Sequence, residues 1–254
     1  MEFKKILHNS VNYPSYSWTK VIMLGLLLIG SILIVPMFLI IGYLFRVMKS
    51  SLSGIDELPN YNKFGSMLID GFKVFLVGII YTIPIIIVTY LLNGIFKFLN
   101  NNQNFVYNTG NFTGSNIIFS YPIAMLKAYI NYYHILFISN PILAVINVIV
   151  NILILIFAIL ISLTAYAAVV NMAFNNGNLT AAFKIRKLIE MISKIGWKRY
   201  IIWYVVILII GVIIGLISLS IISIYIGLIV IPFIITPYFI ISAARSLSLL
   251  FISK

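Results

Sequence analysis

The chain has 254 residues, of which 62% are hydrophobic and only 9% charged, and its mean hydropathy is +1.12; soluble domains carry roughly a quarter charged residues and could not hide so much apolar surface at this size. The net charge of +12 comes from 17 basic and 5 acidic residues. On a soluble protein it would suggest nucleic acid, but these basic residues fall between long apolar runs, where they orient spans and attract anionic headgroups.

Lipid is therefore the solvent, and in a bilayer every backbone N–H and C=O must be paired internally, which leaves helices or a closed barrel. Barrel strands alternate polar and apolar residues, whereas the runs here are continuous. The predicted fold is an all-α polytopic integral membrane helix bundle forming one domain over 1–254, with about five spans (six as the alternative) and two cytoplasmic elbow segments. The absence of cysteine excludes disulfides, thiolate metal sites and a cysteine nucleophile.

Residues 1–20 form a polar segment with Lys4, Lys5, His8, Asn12, Pro14 and Lys20. No cleavable signal peptide is expected, because the apolar run that follows is too long for a signal core and lacks a small-residue cleavage site. A first span is predicted near 21–45, with Pro36 inside it. The elbow 46–73 comes next and holds three of the five acidic residues, Asp56, Glu57 and Asp70. Together with Arg46, Lys49, Pro59 and Lys73 these are candidate contacts, although Asp70 and Lys73 could equally pair at a helix start.

A second span is predicted near 74–96 and an outer, Asn-rich loop over 97–140. That loop contains Asn111-Phe112-Thr113, an acceptor pattern for N-glycosylation. Its later part, Ile117–Ile138, carries Lys127, Asn131 and His134 among tyrosines; a mid-bilayer charge is costly and tyrosine favours the headgroup level, so an interfacial helix is expected there rather than a sixth span. The third span is predicted near 141–171. Asn147 and Asn151 lie four apart on one face of it, as interhelical glue or as the polar lining of a path.

The second elbow, 175–199, contains an amphipathic helix within Leu179–Ile195. Ile185, Leu188, Ile189, Ile192 and Ile195 make one apolar stripe, suited to lying on the membrane or against the protein's own spans. Lys184, Arg186 and Lys187 are the candidate contacts here. The uncharged run from Tyr200 to Ala244 is 45 residues long, roughly 67 Å as one helix, so it must turn back and give spans near 200–219 and 224–245. Gly211 and Gly215 form a small-xxx-small pattern that lets backbones approach.

Loop charge sets the orientation. Six basic residues against Glu190 in 184–199 place that elbow in the cytoplasm, and counting back two crossings places 46–73 there as well. Five spans would then put Lys4, Lys5 and Lys20 outside. Either a sixth span at Ile117–Ile138 or a re-entrant first stretch broken at Pro36 would remove the conflict.

Nothing in the sequence points to catalysis or a cofactor. His8 and His134 lie far apart without metal-ligand spacing, and no phosphate loop, nucleophile elbow or zinc-protease helix is present. Ion-coupled transport usually needs an ionisable group within the membrane, and the uncharged runs supply none. The two elbows also sit between paired spans and each ends in a basic residue, Lys73 in one and Lys198-Arg199 in the other, which suggests two copies of a helix–elbow–helix unit.

Gly42-Tyr43, Arg46, Gly54, Leu58-Pro59 and Asp70-Gly71, ahead of a span with Tyr81 and Pro84, resemble the signature of the domain of unknown function 4013 family. Gly177-Asn178-Leu179-Thr180-Ala181-Ala182-Phe183 resembles that family's second elbow. The resemblance covers roughly Pro14 to Arg245. It implies a multi-pass membrane protein of mostly archaeal type with an uncharacterised role, and supplies no substrate, reaction or catalytic residue. The sequence thus leaves two function classes: a non-catalytic protein of the cell membrane acting through lipid or protein contacts at its elbows, or a small permease or channel between its two helical halves. The expected partners are anionic lipid headgroups and a second copy or another membrane protein, not nucleic acid.

Overall fold

The computed structural model describes residues 3–99, 140–222 and 227–253. The predicted outer loop, its glycosylation pattern and the Ile117–Ile138 segment lie outside the described residues. Every described element is helical: α1 (Phe3–Asn12), α2 (Trp18–Ile29), α3 (Ile34–Leu52), α4 (Phe64–Leu99), α5 (Pro141–Phe174), α6 (Ile185–Ile195), α7 (Trp197–Ile222) and α8 (Thr236–Ile252). Among the described residues, five helical stretches are long and apolar enough to cross a membrane, Ile34–Leu52, Phe64–Phe96, Pro141–Phe174, Trp197–Ser218 and Ile231–Ile252, and the pair Phe3–Tyr16 and Trp18–Ile32, bent by 85°, would make a sixth if it counts as one span. The protein is an all-α membrane helix bundle.

The chain divides into two units, Met1–Tyr81 with Ser162–Lys254, and Thr82–Ile161. The smaller unit holds the second part of α4 and the first part of α5. Asn140 starts α5 by accepting the Leu143 amide on its side chain at 3.1 Å, with Pro141 at the first helical position, where a missing N–H costs nothing. Phe96, Leu143 and Ala144 form an apolar cluster there.

In the larger unit the first apolar stretch is not one helix. The α2 helix ends at Ile29, a 3-10 turn follows over Gly30–Ile32, and Leu33 is extended at φ −86°, ψ 142° before α3 begins at Ile34. The break expected at Pro36 therefore lies a few residues earlier. Proline lacks a donor, but the first four amides of a helix have no intrahelical partner. Pro36 is accommodated in the first turn of α3 and fixes where that helix can start.

The α2 and α3 helices pack on each other as a hairpin. Its open ends meet at elbow 1, where Lys20 Nζ donates to the Leu58 carbonyl and the Tyr61 hydroxyl donates to the Lys20 carbonyl at 3.0 Å. Its tip exposes Ile32, Leu33 and Ile34. The core around it comprises Tyr13, Val21, Leu24, Ile40, Tyr43, Val47, Leu58, Met67 and Ile241.

Two glycines let α3 cross α4 at backbone distance. A Cβ at Gly42 would overlap the Met67 carbonyl, and one at Gly71 would overlap the Phe38 carbonyl. Both atoms are backbone, so no side-chain rotation could make room. Before α8 the chain makes a π-helical turn over Ile231–Ile235. Pro232 within it cannot donate to the regular ladder, and such turns absorb the mismatch.

Candidate functional site

The polar chemistry of the larger unit gathers where the two elbows meet the helix ends. Three stations hold elbow 1 in place. At the first, Arg46 on α3 reaches across to the start of α4: Nη2 donates to the Lys63 carbonyl at 3.0 Å and Ser66 Oγ at 2.7 Å, and Nη1 donates to Asn62. Lys63 is left-handed at φ 49°, a conformation that costs a non-glycine residue energy, and the guanidinium ties down its carbonyl. Pro59 accepts the Tyr43 hydroxyl on its carbonyl at 3.3 Å, and the Tyr43 and Tyr61 rings stack with centroids 4.1 Å apart. Burial, followed by the neighbouring Tyr43, pushes the Tyr61 hydroxyl well above its usual ionisation range.

The second station is centred on Arg245, which is 1% exposed near the middle of α8. Its Nη1 donates to the Ile55 carbonyl at 2.9 Å, Nη2 donates to Asp56 Oδ1, and Nε donates to Asn9 Oδ1 at 3.4 Å. The guanidinium also lies 4.5 Å from the Tyr13 ring centroid. Tyr13 in turn donates to the Glu57 carbonyl at 2.9 Å. Burial raises the Tyr13 pKa, while the charge of Arg245 pulls it the other way. One buried cation thereby joins α1, elbow 1 and α8. A buried charge is tolerable only when paired and hydrogen-bonded, and here every arm of the fork has an acceptor.

At the third station the two elbows touch. Lys49 Nζ lies 3.1 Å from Asp70 Oδ2 and 4.6 Å from the Phe45 ring centroid. Lys73 Nζ donates to the Gly177 carbonyl at 3.2 Å, and the Tyr81 hydroxyl donates to the Ala182 carbonyl at 2.8 Å. Asn176 and Gly177 are consecutively left-handed at φ 54° and 82°. That turns the chain sharply out of α5, which glycine permits at no steric cost. A Cβ on Gly177 would sit 3.1 Å from Lys49 Nζ. Asn171 holds this turn: it is 1% exposed and donates to the Ala181 carbonyl at 2.7 Å.

Elbow 2 beyond that turn has a different character. Asn178 caps the turn by accepting the Thr180 amide at 3.1 Å, and α6 then lies against α7 and α8. The apolar stripe of α6 is divided: Leu188 and Ile192 are buried, whereas Ile185 and Ile189 are exposed. Lys184, Arg186, Lys187, Lys194 and Lys198 are exposed around them. Glu190 pairs with Lys194 at 2.6 Å across one helical turn. That hydrogen bond, then the Lys194 charge and those of Lys187 and Arg186, lower the Glu190 pKa.

Of the residues singled out in the sequence, Arg46, Asp56, Pro59, Asp70 and Lys73 are drawn into the three stations, and Glu57 takes part through its carbonyl. The carboxylates of Asp56 and Asp70 go to different bases, Arg245 and Lys49. Asp70 does not pair with Lys73 as the local spacing suggested, because Lys49 on the crossing helix is the cation at hand. Lys184, Arg186 and Lys187 stay on the surface. Asn147 and Asn151 lie in the smaller unit, where Asn151 Nδ2 donates to the Asn147 carbonyl at 2.8 Å and its Oδ1 at 2.7 Å, within one helix. Gly211 faces the Phe239 ring within the same chain, while Gly215 stands in open space. Sequence reading missed Arg245 as the centre of the second station; the available signal was a lone cation closing a long uncharged run. Among the described residues no group of three His, Asp or Glu side chains is placed to hold a metal.

A family model described as a protein of unknown function (DUF4013) matches residues 26–223. Neither a curated protein nor a solved structure matches the chain. The matched region takes in both elbows and most of the helices that carry the three stations.

Proposed function

The chain belongs to the DUF4013 family of proteins of unknown function, and from that premise we propose that it is a non-catalytic protein of the cell membrane that engages anionic lipid headgroups through elbow 2, on the cytoplasmic face. The observation that carries this reading is the outer face of α6. Exposed Ile185 and Ile189 stand beside exposed Lys184, Arg186 and Lys187 on a helix whose other side is anchored by Leu188 and Ile192. A helix with an apolar edge and basic flanks suits the boundary between acyl chains and headgroups. Each Lys or Arg near an anionic leaflet contributes about 1 kcal/mol.

Sidedness follows from charge and from the hairpin. The basic excess of elbow 2 favours the cytoplasm, and elbow 1 joins it through Lys73 and Gly177. Because Lys20, Tyr13 and Asn9 are all tied to elbow 1 or its Arg245 partner, α1 belongs on that same face. The α2–α3 hairpin is then re-entrant, with its apolar tip in lipid, and the conflict over Lys4, Lys5 and Lys20 disappears without a sixth span. A polar path past Asn147 and Asn151 has less support, since their mutual bonds run along one helix.

The test is lipid selectivity. The full chain, purified from mixed micelles of phosphatidylglycerol and phosphatidylcholine, is expected to retain phosphatidylglycerol in several-fold excess over the input ratio. The triple variant K184Q/R186Q/K187Q is expected to lose most of that excess. Retention of the input ratio by the unaltered protein would remove the proposal.

A further inference from the structure

The larger unit contains an apolar cavity of about 550 Å³ walled by α3, α4, α5, α7 and α8. Its volume falls in the range of small-molecule sites, roughly 300–1,000 Å³. None of its lining residues is charged; polar character comes only from Tyr166, Trp203 and Tyr204, together with the Gly211 backbone. Two of those groups are engaged elsewhere: Trp203 Nε1 donates to Ser246 Oγ at 3.0 Å and the Tyr204 hydroxyl pairs with Ser162 Oγ at 3.0 Å. Such a wall disfavours water and favours hydrocarbon. Tyr166 and Leu208 line the cavity and are 45% and 47% exposed, so it is open to the surroundings rather than sealed.

One wall of the cavity adjoins the cations of the elbow junction. Met48 and Val74 line it, and each is next in sequence to a lysine, Lys49 and Lys73. The Phe45 ring, also part of the wall, carries the Lys49 ammonium 4.6 Å from its centroid. At this junction of the elbows Lys49 pairs with Asp70 and Lys73 donates to the Gly177 carbonyl, so two ammonium groups stand with one carboxylate. The local balance is therefore positive beside an apolar slot.

We infer that this cavity holds the hydrocarbon chain of an anionic membrane lipid whose headgroup rests on Lys49 and Lys73. This rests on the reading of the protein as a lipid-engaging membrane protein but uses residues distinct from those of α6. The two are separable: α6 selects lipids at the surface, and the cavity retains one chain inside the fold. A lipid so held would bridge α3 and α4 at Lys49 and Lys73, beside the Gly177 turn of elbow 2.

Trp203 at the cavity wall supplies the probe. The chain has three tryptophans, so W18F/W197F leaves Trp203 as the sole emitter in the full-length protein. This protein would be reconstituted in vesicles where either phosphatidylglycerol or phosphatidylcholine carries brominated acyl chains, at equal mole fractions. Brominated phosphatidylglycerol is expected to quench Trp203 several-fold more effectively. The variant K49Q/D70N/K73Q removes the cations without orphaning the carboxylate and should bring the two lipids to equal quenching. K184Q/R186Q/K187Q should leave the Trp203 preference intact even as it lowers surface retention. Ala244→Phe, which fills the cavity, should weaken quenching by both lipids. Equal quenching in the unaltered background, or a preference that survives K49Q/D70N/K73Q, would overturn the headgroup assignment. Quenching indifferent to Ala244→Phe would mean that only lipid surrounding the protein is sensed, and would overturn the cavity assignment.

Discussion

The two elbows are both rich in charge but differ in balance and in use: elbow 1 holds three of the five acidic residues, whereas elbow 2 carries six basic residues against Glu190. In elbow 1 charged side chains bind other parts of the fold: Arg46 clamps the start of α4, Asp56 meets the buried Arg245, and Asp70 meets Lys49. In elbow 2 beyond the Gly177 turn, the charges of α6 point outward, and the ion pair there, Glu190 with Lys194, is exposed on both sides. Polar side chains near a membrane can serve as an internal frame or as a surface. Burial of the partner decides which, since a buried guanidinium demands acceptors while surface pairs contribute little.

The comparison breaks first at the helix crossing that supports elbow 1. Gly42→Ala should cost more than about 3 kcal/mol, beyond ordinary overpacking, because the new methyl meets the Met67 carbonyl. The expected result is loss of the monodisperse peak in detergent. Next comes Asp56→Asn, which leaves the Arg245 guanidinium buried without its counter-charge. Removing one partner of a buried pair costs roughly 3–5 kcal/mol, and we expect the lower end, because the Asp56 side chain is 72% exposed and water can partly replace it. The reverse change, Arg245→Met, should cost less, since the carboxylate it leaves behind is already solvated. Thermal unfolding of the two variants side by side checks that order.

A smaller effect sharpens the contrast. A double-mutant cycle of Lys49→Gln and Asp70→Asn should give a coupling of about 1 kcal/mol, at the upper end for a partly exposed pair. In elbow 2, Glu190→Gln should leave the unfolding temperature unchanged. The pH dependence agrees in sign. The Glu190 pKa is lowered in the folded protein, so whatever the pair contributes is present above the ordinary glutamate range and is lost as pH falls through the lowered value. With Glu190 fully exposed, that loss should be undetectable by thermal unfolding between pH 7 and pH 4, and a clear drop assigned to Glu190 would show that elbow 2 is framed internally after all.

Helix content and, among the described residues, the five candidate spans were legible in the sequence because lipid imposes long uninterrupted apolar runs, which any helix of sufficient length satisfies. The α6 helix was legible for a similar local reason, its 3.6-residue periodicity. Its division was not: Leu188 and Ile185 look alike along the stripe, and only the packing of α7 and α8 makes one inner and the other outer. The stations of elbow 1 were out of reach because their partners are remote. Asp56 and Arg245 are 189 residues apart, and Lys73 and Gly177 are 104 apart. Local spacing offered Asp70 with Lys73 instead, and the α3–α4 crossing overrode it. The hairpin break shows the same limit: Pro36 marked the neighbourhood, but helix-start chemistry moved the break to Gly30–Leu33.

The proposed function requires α1 and both elbows to share the cytoplasmic face. Because the chain has no cysteine, single cysteines at Ser15, Ser53 and Ser193 can each be tested on intact cells with a membrane-impermeant thiol reagent. The account predicts no labelling at any of the three until the membrane is opened, and labelling at all three afterwards. Labelling of Ser15 from outside with Ser53 and Ser193 protected would contradict the re-entrant hairpin, and labelling of Ser193 from outside would contradict the proposed role of α6.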